Sequence, residues 1–130
     1  MTNTLRFRLD PGSGVPVYRQ IIDQILGGIA AGSLSGGDQL PTVRQVAVEL
    51  SINPNTVVRA YRELEIRGVL ATQQGIGTFI TEKKIRKDEA ARQRQLTQLA
   101  GEWMARAGAA GFSVEEVIER IEEFQEKRRK

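Results

Sequence analysis

The chain has 130 residues, 40% apolar and 27% charged, and its 19 basic and 16 acidic side chains leave a net charge of +3. It holds neither cysteine nor histidine, which excludes disulfides, thiol nucleophiles, Cys/His zinc sites and serine–histidine pairs, so no metal or other cofactor is expected. No signal peptide opens it and no run approaches the ~18 apolar residues that span a bilayer, so a cytoplasmic protein with no membrane partner is expected.

In residues 5–10, Leu5, Phe7 and Leu9 alternate onto one side, as in a short extended arm, and Pro11-Gly12-Ser13-Gly14 breaks it. A first helix is expected from near Pro16. Its stripe is Tyr18, Ile21, Ile22, Ile25 and Ile29, and Gly32 is its stop. Residues 33–40 read as a loop. Thr42 followed by Gln45 forms a capping box for a second helix that buries Val43, Val46, Ala47 and Leu50. After Ser51-Ile52, Asn53 caps a third helix with Pro54 in its first turn; it runs to about Arg67 and ends at Gly68.

That third helix has two unlike faces. At 100° per residue, Val57, Ala60, Tyr61 and Leu64 cluster on one side, and Asn55, Arg59, Arg62 and Ile66 fall on the other. Two short capped helices joined by a tight turn match a helix-turn-helix, whose second helix enters the major groove by its N-terminal end. Arg can bond guanine and Asn adenine bidentately, and Thr56 is suited to a phosphate or a thymine methyl. The alternative for Arg59 and Arg62 is a solvated face paired with Glu63 or Glu65. Tyr61 belongs to the core.

Residues 69–72 and 78–81 read as strands joined by a loop over 73–77, a hairpin placed as a wing after the recognition helix. Gly75 and Gly77 either serve the turn alone or let backbone N–H groups approach a phosphate.

A boundary falls near 81–84. Residues 1–81 hold seven arginines and six acids, and residues 82–130 hold twelve basic and ten acidic residues with no proline. The second segment reads as a helix over 83–107 with Leu96, Leu99, Ala100, Trp103 and Ala107 on one face, interrupted by 108–111. Ser113 and Glu116 then box the start of a last helix with Val114, Val117, Ile118, Ile121 and Phe124 in its stripe. Two such helices cannot bury both stripes on each other, so a second copy of the chain is expected to cover them. The expected contacts are Leu96, Leu99, Val117, Ile121 and Phe124, with Trp103 as anchor. Lys83, Lys84, Arg86 and Lys87 open this segment, either as phosphate contacts or as a solvated linker.

The strings PVYRQIIDQI, GDQLPTVRQVAVEL, SINPNTVVRAYRELEIRGVL and QQGIGTFI, in this order over residues 16–80, resemble the GntR family of transcription regulators, and its small YtrA-type subfamily in particular. The resemblance implies an α+β protein that is not an enzyme. A winged helix-turn-helix DNA-binding domain would span residues 1–81 and a two-helix dimerisation region residues 82–130. It implies a homodimeric repressor on a two-fold-symmetric operator of double-stranded DNA, with transporter operons as frequent targets. Carried over by position, Arg44, Asn55, Thr56 and Arg59 correspond to DNA-contacting helix residues, and Gly75, Gly77 and Thr78 to the wing tip. The wider family often has Glu at the place of Val43 and basic residues at those of Pro54 and Val58, so the bases read elsewhere do not transfer. Two questions stay open in the sequence: whether a small-molecule effector binds, and whether the winged face docks a protein instead of DNA.

Overall fold

The computed structural model describes residues 5–82 and 89–129, which fall into two compact units, one on each side of the gap. The basic stretch Lys83, Lys84, Arg86 and Lys87 lies outside the described residues.

The first unit contains helices α1 (Val17–Ala31), α2 (Val43–Leu50) and α3 (Pro54–Ile66) and a hairpin of β1 (Leu70–Gln73) and β2 (Gly77–Ile80). Its core is made of the residues the helical periods single out. Ile21, Ile22 and Ile25 of α1 meet Val46 of α2 and Val57 and Leu64 of α3, all fully buried. Each such side chain contributes roughly 1.5–3 kcal/mol. Leu34, Leu40, Leu70 and Ile80 close the base, and Phe7 of the arm closes one side.

The arm is held by two glutamines one turn apart on α1. Gln24 accepts from the Arg8 N–H (2.9 Å) and donates to the Arg8 carbonyl (2.7 Å). Gln20 treats Asp10 in the same way (2.8 and 3.0 Å) and also donates to the Val15 carbonyl (2.8 Å). Two side-chain amides therefore stand in for a neighbouring strand, at the two-residue spacing that turns Phe7 inward. Gln20 is itself buried, and these bonds satisfy it.

Three local readings shift. Pro16 is the N-cap of α1 and the helix starts at Val17, with Gly32 in the left-handed region (φ 83°) ending it as expected. The strands sit at 70–73 and 77–80, pairing Leu70 with Ile80 and Gln73 with Gly77, so Gly77 opens β2 and is not part of the turn. Part of the expected loop over 33–40 also lies along β2. Leu40 N–H donates to the Thr78 carbonyl, Ile80 N–H to Asp38 and Gly37 N–H to Ile80, each at 2.8 Å. The hairpin thereby gains a third, irregular edge.

The second unit is a helical hairpin, α4 (Glu89–Ala109) and α5 (Val114–Arg129). The helix runs through Gly108 and stops only at Gly111 (φ 87°), where Phe112 N–H bonds the Ala107 carbonyl (2.8 Å) and Gly111 N–H that of Gly108 (3.1 Å). The two glycines within α4, Gly101 and Gly108, keep a negative φ and are carried by the helix, whereas the left-handed Gly111 lies just past its end. Ser113 and Glu116 form the expected box at the start of α5.

Candidate nucleic-acid interface

The recognition helix is fixed at both ends and along its back. Thr42 Oγ1 accepts from Gln45 N–H (3.1 Å) and Gln45 Oε1 accepts from Thr42 N–H (2.8 Å), which starts α2. The turn after α2 puts Ser51 in the left-handed region (φ 55°), with Ile52 N–H on the Ala47 carbonyl (3.0 Å). Asn53 Oδ1 then accepts from Asn55 N–H (2.8 Å) and Pro54 takes the first helical position. At the far end Val69 N–H returns to the Leu64 carbonyl (2.9 Å) beside Gly68 (φ 79°). Tyr61, buried as expected, reaches through the core so that its hydroxyl donates to the Pro41 carbonyl just before α2 (2.7 Å). Burial pushes that phenol well above its ordinary pKa.

The outward face of α3 brings Asn55, Arg59 and Arg62 together with Val58, Glu63 and Ile66 along one shallow surface. Thr56 lies off this face and is half-buried on the first turn. Glu63 is engaged by Arg67 (3.1 Å). Among the described residues no carboxylate lies within ion-pair reach of Arg44, Arg59 or Arg62, all of which are exposed. The pairing of Arg59 with Glu63 or Glu65, left open by the sequence, is therefore absent. Instead its guanidinium lies over the ring of Tyr18 on α1, 3.8 Å from the centroid.

The two wing glycines differ. Gly75 (φ 78°) has open space where a Cβ would stand, as suits a residue at an accessible tip. Gly77 (φ 146°) has the Gln39 side-chain amide packed into that space, and the same amide donates to the Ile76 carbonyl (3.1 Å). Its missing side chain has a structural reason, bracing of the wing by Gln39. Thr78 is half-buried and its hydroxyl meets that of Thr72 across the hairpin (3.3 Å). Ile76 projects from the tip, 64% exposed.

Residues 17–80, from the start of α1 to the end of β2, match the family described as bacterial regulatory proteins, gntR family. Over 114 residues the chain is 39% identical to the transcriptional regulator YhcF of Bacillus subtilis strain 168, covering 88% of this chain and 93% of that one. It is 35% identical over 117 residues to the transcriptional repressor YtrA of the same organism, covering 90% of each. The chain belongs to the GntR family. Among solved structures, a transcriptional antiterminator from Listeria monocytogenes EGD-e superimposes with a TM-score of 0.68 at 28% identity, covering 98% of this chain and 94% of that one. This GntR protein is thus a transcriptional regulator and not an enzyme, with a winged helix-turn-helix as its DNA-binding domain and a helical region after it.

Later in the chain, the helical region leaves its own apolar side open. Leu96, Leu99, Trp103 and Met104 of α4 and Ile118, Ile121 and Phe124 of α5 are all between 44% and 55% exposed, and Val117 is half-buried. All of them but Phe124 line one groove together with Ala107, the one buried apolar residue of the hairpin among the described residues. Met104 and Phe112 join the apolar residues singled out in the sequence. Tyr18 and Gln39 were not legible as parts of the candidate interface. A tyrosine in an apolar stripe and a glutamine in a loop carry no local signal, and only the fold sets one under Arg59 and the other behind the wing tip.

Proposed function

We propose that this GntR regulator is a homodimeric repressor that reads a two-fold-symmetric operator with α3 of each subunit in the major groove. Arg59 and Asn55 would read base edges, and Arg44, Thr56 and Arg62 would position the helix on the backbone. The wing, through Gly75, Gly77 and Thr78, would approach a neighbouring phosphate. The supporting observation is the electrostatic asymmetry of α3. Its acid at position 63 is engaged by Arg67, and Arg59 and Arg62, on the same outward surface, form no ion pair among the described residues. An i,i+4 pair of Arg59 with Glu63 is open to this helix and is not made; in this reading both cations meet an anion outside the chain.

The second unit, residues 82–130, is the dimerisation region in this proposal, with Trp103 as its anchor. Dimerisation spaces the two recognition helices by one helical turn of DNA, about 34 Å. The YtrA-type resemblance makes a transporter operon the proposed target.

Footprinting on the DNA upstream of the protein's own gene, repeated over a range of salt concentrations, tests the proposal. A protected site of two mirrored halves, with affinity falling linearly in log salt, is the expected result. Protection that is absent, or indifferent to sequence, would refute it.

A further inference from the structure

We propose that Tyr18, on α1 and outside the helix-turn-helix proper, is a positioning residue for base reading: its ring holds the Arg59 guanidinium in one place before DNA arrives. The inference rests on the proposal that Arg59 reads a base. It deepens that proposal by adding a specificity-determining residue the sequence placed in the core.

A free arginine on a helix surface samples many rotamers, and selecting one of them opposes every contact it then makes. Here the guanidinium carbon sits 3.8 Å over the Tyr18 centroid, within van der Waals range and well inside the ~6 Å over which the ring quadrupole attracts a cation. The ring is a firm platform because Tyr18 is half-buried and packs on the core. Two residues on, the Gln20 side chain bonds Asp10 and Val15 and ties the arm to the start of the helix.

The geometry divides the labour within one side chain. The ring attracts the cation without supplying a hydrogen-bond acceptor, so the five N–H donors of the guanidinium stay available for the O6 and N7 of a guanine. No carboxylate competes for them among the described residues. Removing the platform leaves the charge in place. A loosened arginine still attracts phosphate, which needs no defined orientation, but loses alignment with a base edge, which does. The defect therefore belongs in the ratio of specific to non-specific binding and not in affinity as a whole.

The test uses the full-length protein, its footprinted operator, operators altered one base pair at a time, and scrambled DNA. Tyr18→Leu is expected to lower operator affinity about three- to tenfold, to leave scrambled DNA unaffected, and to flatten the preference at the base pair whose identity Arg59→Ala also ceases to read. Tyr18→Phe, which keeps the ring face, is expected to retain the preference. In an Arg59→Ala background, Tyr18→Leu is expected to add nothing. Because Tyr18→Leu also removes packing and risks unfolding, a series of phenylalanines with increasing fluorination at position 18 supplies the second measurement. Fluorination drains the ring's negative face at nearly constant shape, so specificity should fall stepwise along it. A flat series, an equal loss on operator and scrambled DNA, or a full loss persisting without Arg59 overturns the role of Tyr18 while leaving DNA reading intact. A wild-type protein with no sequence preference overturns both.

Discussion

At the scale of single residues, the polar groups that matter are tied to backbone atoms of other elements. Tyr61 is the clearest case. Its ring completes the core while its hydroxyl donates to the Pro41 carbonyl, at the hinge into α2. Tyr61→Phe keeps the ring and removes the bond, and is expected to lower stability by about 1 kcal/mol near neutral pH. The pH dependence has a definite sign. The unfolded chain ionises this phenol near pH 10, but burial holds it neutral to higher pH in the folded chain. The contribution is therefore complete below about pH 10 and declines as pH rises beyond it. Urea midpoints of the two proteins should converge above pH 10; a gap that widens there would contradict the assignment. On the opposite face of the same helix, Arg59→Ala is expected to cost about 1–3 kcal/mol on the operator and much less on scrambled DNA, measured by titration on both. Tyr61 was legible from its place on the helical wheel, because burial of an amphipathic face follows from the 3.6-residue period alone. Its hydrogen bond was not, since it joins residues twenty positions apart.

At the scale of elements, the helices were legible wherever their ends carry local chemistry. Thr42 with Gln45, Asn53 before Pro54, and Gly32, Gly68 and Gly111 each satisfy terminal backbone groups within a few residues of themselves. The wing was less legible because the limits of its strands depend on residues far away. Leu40 and Asp38 bond β2 from outside the hairpin, and Gln39 fills the space beside Gly77. Each strand lies one residue nearer the turn than expected, with the cross-strand pairing unchanged, and no turn signal encodes the contacts that set these limits. Gly77→Ala should therefore damage the wing twice over, by a φ of 146° that alanine resists and by collision of its Cβ with the Gln39 amide. A loss of about 1–3 kcal/mol is expected in thermal unfolding. Adding Gln39→Ala should recover only part of it, since the collision is relieved and the backbone strain stays. Complete recovery would show that sterics alone fix this glycine.

At the scale of the whole molecule, the two units bury their apolar residues very differently. The first encloses a core of isoleucines, valines and leucines and leaves only Val15, Val48, Ile66 and Ile76 exposed among its described large aliphatic residues. Of the twelve exposed large hydrophobic residues among the described residues, eight fall in the second, between Leu96 and Phe124. A hairpin of two helices has too little depth to hide a tryptophan, a phenylalanine and a ladder of leucine and isoleucine on one side. The sequence already carried that deficit, because both stripes are readable at helical spacing. The partner that corrects it is not readable there, since complementarity is a property of two surfaces. If the partner is a second copy, Trp103 at the centre of the groove should behave as an interface anchor. Trp103→Ala is then expected to weaken self-association by about 2 kcal/mol or more, a shift of roughly thirtyfold in sedimentation equilibrium. The winged unit, whose core is separate, should keep its thermal transition. The consequence for DNA follows from linkage. A half-site needs one subunit, and its affinity should be unchanged, whereas the full operator gains from joining two subunits and should lose that gain as the dimer dissociates. Equal loss on half-site and full site would mean that Trp103 supports the fold of the chain and not the pairing of two chains.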